Sequence, residues 1–331
     1  MKTRALCSLV LSTGFVPLAL AQTFPAFTAP SVTTPVYMDA GVSSAQVPNG
    51  LYTTALMSVW STTNNLTYSI SADGLNSVYS SEINTGGYYI DCLASYQTCS
   101  ASIAVFENKI YISFADSISQ GLDVFEAAVV PGAVGYTFQL VYQDNTSPMT
   151  TSPAMAVLNN GSVNKLEIVY GVNTSSIKNA YYAVTFNGTS WTPASALGEG
   201  IASGAQPGMV QFNNKLWLCL QQNNSSHNLF YSSSSDGITW AAPTEVSSLQ
   251  LGGGASMVVF NNDLVLATQQ NNSNKELWIF SSPNGTTWTG EGYSSLLLGN
   301  VPALSLFNSD ISLQYQSKNS NQYLESDLAS H

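Results

Sequence analysis

Five segments of this chain are copies of one another. They begin at Ser102 (SIAVFENKIYISFADS), Ala154 (AMAVLNNGSVNKLEIVYG), Gly208 (GMVQFNNKLWLCLQQNN), Ser256 (SMVVFNNDLVLATQQNN) and Ala303 (ALSLFNSDISLQYQS). The apolar residue that closes each opening strand is Phe106, Leu158, Phe212, Phe260 and Phe307 in turn, at separations of 52, 54, 48 and 47. Trp191, Trp240 and Trp288 recur at 49 and 48. A period near 48 residues with several short strands per copy is the signature of a β-propeller, in which each copy is one blade.

The Gly208 copy resolves into four strands: GMVQF, KLWLCLQ, LFYSSS and a last strand starting at Trp240 that Pro243 interrupts. Asn213-Asn214 is the tight turn between the first two. Aligning the chain gives an all-β ring of six four-stranded antiparallel blades, at about 51–95, 101–145, 153–198, 206–248, 254–297 and 301–328; five and seven blades are the neighbouring solutions. The sixth copy has three strands at most, and residues 33–43 are placed to supply its outer strand and close the ring, removing the exposed edges of an open sheet.

Lys2 and Arg4 precede an apolar stretch that ends at Ala19-Leu20-Ala21, which reads as a secretory leader over residues 1–21. The run is shorter than the ~18–20 residues that span a bilayer, so no membrane insertion is expected. One propeller domain over 22–331 remains, and a secreted monomer is the expectation. That domain carries six lysines, 19 acidic residues and no arginine, a formal charge of −13, which makes nucleic acid and anionic membranes poor partners. Cys92 and Cys99 are expected to form a local disulfide, and Cys219, on an alternating strand, a buried thiol. Asn65, Asn145, Asn160, Asn173, Asn187, Asn223, Asn224, Asn271 and Asn284 each begin an N-x-S/T triplet, which in a eukaryotic secretory pathway would carry glycans on exposed loops.

The stretch Ser234-Ser235-Asp236-Gly237-Ile238-Thr239-Trp240 resembles the Asp-box of the sialidase-like propellers, with a partial copy at Asp73-Gly74 and Asn-containing copies at Asn284-Gly285…Trp288 and Asn187-Gly188…Trp191. Its role is structural: Asp236, Asp73 and Asn284 accept backbone N–H bonds, Gly237 and Gly285 take positive φ, and Trp240, Trp288 and Trp191 pack the turn onto the blade. The resemblance puts these turns on the face opposite the usual site. It assigns ligand binding to the loops between second and third strands and to the links between blades. Candidates there are Asp116, Gln221, Gln222, Asn223, His227, Gln269, Gln270, Asn271 and Gln316, with Trp217, Trp278, Tyr111 and Tyr315 as stacking faces.

The chemistry of the catalytic relatives is missing. Sialidases clamp a carboxylate with three arginines, and Arg4 is the only arginine here. A neutral-sugar hydrolase needs two facing carboxylates, for which Asp91, Asp116, Asp123, Glu126 and Asp144 are the available cluster. No zinc, calcium-loop or phosphate-loop motif is present, so no metal or cofactor is expected. The reading is a secreted carbohydrate-binding, lectin-like propeller. A glycoside hydrolase acting on a non-sialic glycan and a protein-interaction propeller are the alternatives.

Overall fold

The computed structural model describes residues 27, 32–38, 41–48, 54–62, 65–90, 100–129, 135–172, 180–197, 204–222, 225–318 and 323–329. These form a six-bladed propeller, each blade a four-stranded antiparallel sheet. Blade 1 comprises β2 (Ser43–Val47), β3 (Ala55–Thr62), β4 (Asn65–Ser71) and β5 (Ser77–Glu82). Blade 2 is β6 (Ser102–Phe106), β7 (Lys109–Ala115), β8 (Leu122–Ala128) and β9 (Gln139–Asp144). Blade 3 is β10 (Ala154–Asn159), β11 (Asn164–Val172), β12 (Ala180–Phe186) and β13 (Ser195–Ala196). Blade 4 is β14 (Gly208–Phe212), β15 (Lys215–Gln221), β16 (Asn228–Ser234) and β17 (Thr244–Gln250). Blade 5 is β18 (Ala255–Phe260), β19 (Asp263–Gln269), β20 (Glu276–Ser282) and β21 (Thr289–Leu297). Blade 6 is β22 (Ala303–Phe307), β23 (Asp310–Gln316) and β24 (Tyr323–Ala329), and β1 (Val32–Tyr37) pairs antiparallel with β24 as its outer strand.

Blade 1 departs from the sequence reading, which starts it at about residue 51. Its innermost strand lies before that point, in β2, SSAQV, and the apolar ALMSVW segment is its second strand. The second strand of a blade is covered by the neighbouring blades on both faces, so β3 is buried at seven of its eight positions. The innermost strand is short and lines the axis, which is why a serine-rich segment serves. In blade 4 the outer strand starts after Pro243 rather than at Trp240, because proline fixes φ and brings no ladder N–H.

The innermost strands lean on one another in a ring, and serines stitch them. Met155 N–H donates to Ser102 Oγ at 3.0 Å, Leu304 N–H to Ser256 Oγ at 2.9 Å, and the Ser44 and Ser305 hydroxyls meet at 3.0 Å. In blades 2, 4, 5 and 6 the turn between first and second strands uses paired left-handed residues, with φ of 48° and 62° at Asn213-Asn214 and 51° and 64° at Asn261-Asn262, the geometry that matches the twist of a two-residue hairpin. The core lies between blades: Phe114 stacks on Phe125 at 5.6 Å beneath blade 1, and Trp191 lies between Phe186 (4.6 Å) and Tyr142 of blade 2 (4.8 Å).

The box turns form as the sequence implies. Asp236 Oδ1 accepts from Ile238 N–H (2.8 Å), Thr239 N–H (2.7 Å) and the Ser234 hydroxyl (3.0 Å). Asp73 and Asn284 repeat the pattern, and Asn187 accepts from the Thr189 and Ser190 N–H groups. Although burial opposes ionisation, the donors around Asp236 and Asp73 outweigh it and hold both carboxyls down at about 2. Each box glycine is pressed against the preceding blade. A Cβ on Gly285 would lie 2.3 Å from the Trp217 ring, on Gly74 2.6 Å from Phe307, and on Gly188 2.7 Å from the Glu107 carboxylate. The boxes therefore join blade to blade.

Candidate functional site

The first-to-second-strand turns and the boxes share one face: the Asn160 amide donates to Asn214 O (3.2 Å) and Ser235 O (2.9 Å), and Lys165 Nζ reaches Asp236 O (3.1 Å). The loops between second and third strands share the other face with the links between blades, as Leu251 N–H to His227 O (3.0 Å) and Lys275 Nζ to Gly252 O (3.0 Å) show.

Strand register orders the side chains on this upper face. In five blades a buried leucine of the third strand (Leu66, Leu122, Leu229, Leu277, Leu324) pairs with Ser61, Ala115, Gln221, Gln269 or Gln316 of the second. Gln221, Gln269 and Gln316 are all buried, and each amide donates to a backbone carbonyl of the link leaving its own blade: Leu251 O at 2.6 Å, Leu298 O at 3.3 Å and Met38 O at 2.5 Å. These three glutamines tie down the links, which would otherwise bury an unpaired carbonyl.

One residue further along both strands, the blades diverge. The equivalent pairs are Thr62/Thr67, Asp116/Asp123, Gln222/Phe230, Gln270/Trp278 and Ser317/Glu325. In blade 1 the two hydroxyls bond each other at 3.2 Å. In blade 5, with the Gln270 amide oriented to satisfy both of its ends, its oxygen accepts from Trp278 Nε1 at 3.3 Å and its nitrogen donates to the Glu276 carboxylate.

A cavity of about 180 Å³ opens beside this last pair, lined by Ser248, Gln250, Gln270, Asn271 and Trp278. Ser248 and Gln250 come from the outer strand of blade 4, the other three from blade 5, so the site lies between blades. Asn271 Nδ2 donates to Gln250 Oε1 at 3.3 Å across the gap. Gly292, the cross-strand partner of Trp278, gives the indole its room: a Cβ there would meet Nε1 at 2.9 Å. The cavity thus offers amides and a hydroxyl beside a half-buried indole, and none of its lining groups is charged. A second cavity, of about 80 Å³, sits on the axis among the first residues of the innermost strands, lined by Ser44, Ser102, Gln206, Ser256 and methionines 155, 209 and 257. It has room for a few waters.

The expected site residues are therefore dispersed. Gln270, Asn271 and Trp278 meet in the inter-blade cavity. Gln222 and His227 are half-buried on the upper face of blade 4, His227 with φ +51°, and Asn223 lies outside the described residues. Trp217, Tyr111 and Tyr315 are in the core. Cys92, Cys99, Asp91 and residues 1–21 also lie outside the described residues, and Cys219 is a buried free thiol. Ser248 and Gln250 escaped the sequence reading. They belong to the blade before the loop they face, and nothing in their own strand marks them.

The acids of blade 2 are each engaged differently. Lys109 holds Glu126 at 2.8 Å, and Asp144 accepts from the Tyr170 hydroxyl at 2.8 Å. Asp116 and Asp123 are 2% and 0% exposed. Burial pushes the Asp123 carboxyl up to about 6, with the nearby Asp116 charge adding to the effect. Among the described residues no three His, Cys, Asp or Glu side chains come together as metal ligands.

No protein-family model matches the chain, and no curated protein matches its sequence. Solved structures do match in fold. A protein of unknown function from Dyadobacter fermentans superposes with TM-score 0.60 at 11% identity, covering 91% of this chain and 98% of that one. The fucose-specific lectin from Aleuria aurantia gives 0.61 at 12% identity, over 88% and 91%. The Trypanosoma rangeli sialidase gives 0.57 at 11%, over 88% of this chain and 55% of the sialidase. At such identities the likeness is one of fold.

Proposed function

We propose that this propeller is a secreted, lectin-like protein that binds carbohydrate in the inter-blade cavity between blades 4 and 5. The observation that carries the reading is the composition of that cavity, a partly exposed indole beside three amides and a hydroxyl. A sugar presents an apolar face of C–H groups with hydroxyls around its rim. An indole suits the face, and amides that both donate and accept suit the rim. The fucose-specific lectin with the same fold is consistent with this use of a propeller. Sialidase activity is not part of the proposal, because Arg4 is the only arginine in the sequence and a carboxylate clamp needs several. With no charged lining, the cavity suits neutral rather than acidic sugars.

The test is a glycan array probed with the full mature chain and with Trp278→Ala. Asn271 begins an N-x-S/T triplet and lines the cavity, so the protein is made in a host without N-glycosylation. Binding to neutral glycans is expected, weakened at least ~10-fold by Trp278→Ala, which corresponds to about 1.4 kcal/mol of lost stacking. Failure to bind any glycan at high protein concentration would remove the lectin reading.

A further inference from the structure

We propose that Asp116 and Asp123 together hold one hard divalent cation, of the calcium or magnesium class, where blades 1 and 2 meet on the upper face. Strand alternation puts both side chains on the side of the blade 2 sheet that carries Phe114, whose cross-strand partner is Asp123. Phe114 belongs to the core shared with blade 1. Asp116 and Asp123 form a diagonal cross-strand pair, a spacing of ~7 Å or less between Cβ atoms, close enough for two carboxylates to reach a single ion.

Each carboxylate has one oxygen satisfied and one left over. Asp116 Oδ2 accepts from Ile118 N–H (3.2 Å), Ser119 N–H (2.7 Å) and the Ser119 hydroxyl (2.9 Å), and Asp123 Oδ1 accepts from the Gln143 amide (2.9 Å). Asp116 Oδ1 and Asp123 Oδ2 are fully buried and have no hydrogen-bond partner. All four donors are neutral, so nothing among them offsets the two negative charges. At the equivalent positions of blades 1 and 5, donor and acceptor meet directly, as the Thr62–Thr67 and Gln270–Trp278 bonds show. In blade 2 both members of the pair are acceptors, and neither supplies the electrophile that two buried carboxylates need. A shared proton would leave one buried charge uncompensated, which is costly away from water. A divalent cation compensates both. Carboxylate oxygens are the ligands such ions take, and magnesium sites commonly use two carboxylates with water completing the shell.

The experiment uses the full mature chain, freed of metal with EDTA and dialysed. Thermal unfolding is followed with added CaCl2 or MgCl2, and bound metal is counted by mass spectrometry after equilibrium dialysis. Expected are one ion per chain and an unfolding midpoint that climbs with cation concentration, because the ion binds the folded state. Asp116→Asn keeps the oxygen that accepts from Ser119, and Asp123→Asn the oxygen that accepts from Gln143, but each loses a charge. Both should fold, bind no metal and show a flat midpoint. Asp123→Asn should also be more stable than the parent in EDTA, since its amide can donate to Asp116. Wild-type stability indifferent to both cations overturns the proposal. So does a cation response that survives in either variant, or a midpoint that follows acidification alone, the mark of a shared proton.

Discussion

Replacing Gly285 by alanine separates the conformational role of the box glycine from its role between blades. Gly285 has φ +79°, and its Cβ position lies 2.3–2.5 Å from three atoms of the Trp217 ring on blade 4. Contact between carbon atoms is comfortable only near 3.5–4.0 Å, so the ring must shift by more than ~1 Å. Trp217 is buried, and its Nε1 donates to Phe212 O at 3.2 Å, which anchors it against that shift. Gly161 is the control, with φ +84° and nothing within 4 Å of its Cβ position. At either site alanine costs ~1–2 kcal/mol for the left-handed backbone, offset by ~0.4–1 kcal/mol from a less flexible unfolded chain, so Gly161→Ala should cost about 1 kcal/mol. Gly285→Ala adds ~1–3 kcal/mol of overpacking and about 1 kcal/mol for the strained indole bond, a total of roughly 3–5 kcal/mol. Urea unfolding read by intrinsic fluorescence and circular dichroism measures both. In a Trp217→Ala background the Gly285→Ala increment should fall back to about 1 kcal/mol, because the ring it collides with is gone. Equal costs for Gly285→Ala and Gly161→Ala, or an increment unchanged by Trp217→Ala, would refute the claim that the boxes bear on the neighbouring blade.

Three further outcomes follow from the same geometry. Asp236→Asn should change stability by less than ~0.5 kcal/mol and Asp236→Ala should cost ~1–2 kcal/mol, since Asn187 and Asn284 already accept the same N–H bonds elsewhere in the ring; chemical denaturation distinguishes them. Glu167 is buried against blade 4, with Oε2 accepting from Thr185 Oγ1 at 2.7 Å, and burial raises its carboxyl well above the usual range. A raised carboxyl stabilises the fold most below its unfolded pKa and loses that contribution as pH rises through the folded one. Glu167→Gln should therefore match the parent near pH 4 and exceed it at pH 8, and parallel stability–pH curves for the two proteins would count against this. Gln221→Ala strands the buried Leu251 carbonyl and should cost ~1–3 kcal/mol while leaving glycan affinity unaltered, as unfolding and binding titrations on one preparation can check.

What is legible in the sequence is whatever recurs with the blade. The repeated Phe-Asn-Asn and box-turn segments mark the blades, the turn at Asn213 and the hydrogen bonding of Asp236, because these features are closed within a dozen residues and need no knowledge of the rest of the chain. Blade 1 is less legible. Its axial strand SSAQV has little hydrophobic pattern, and its second strand is apolar throughout because it is covered on both sides. The glutamines show the limit most clearly. Gln269 and Gln270 are adjacent and chemically identical, yet strand alternation and the passing link bury the first and leave the second at a cavity.

A period near 48 residues carries its own strands, turns and boxes, and this short-range chemistry suffices to specify the ring. With Arg4 as its only arginine, the chain has no arginine clamp. Which side chains meet between blades is set by the packing of one sheet on another. The cavity joins Gln250 to Gln270 and Trp278, and register alone makes a bonded threonine pair in blade 1 equivalent to two aspartates in blade 2 that each keep one unpartnered oxygen. The cavity contacts depend on how one blade is rotated against the next, a relation between distant segments that no single repeat encodes, whereas the threonine and aspartate pairs depend on strand register within their own blades.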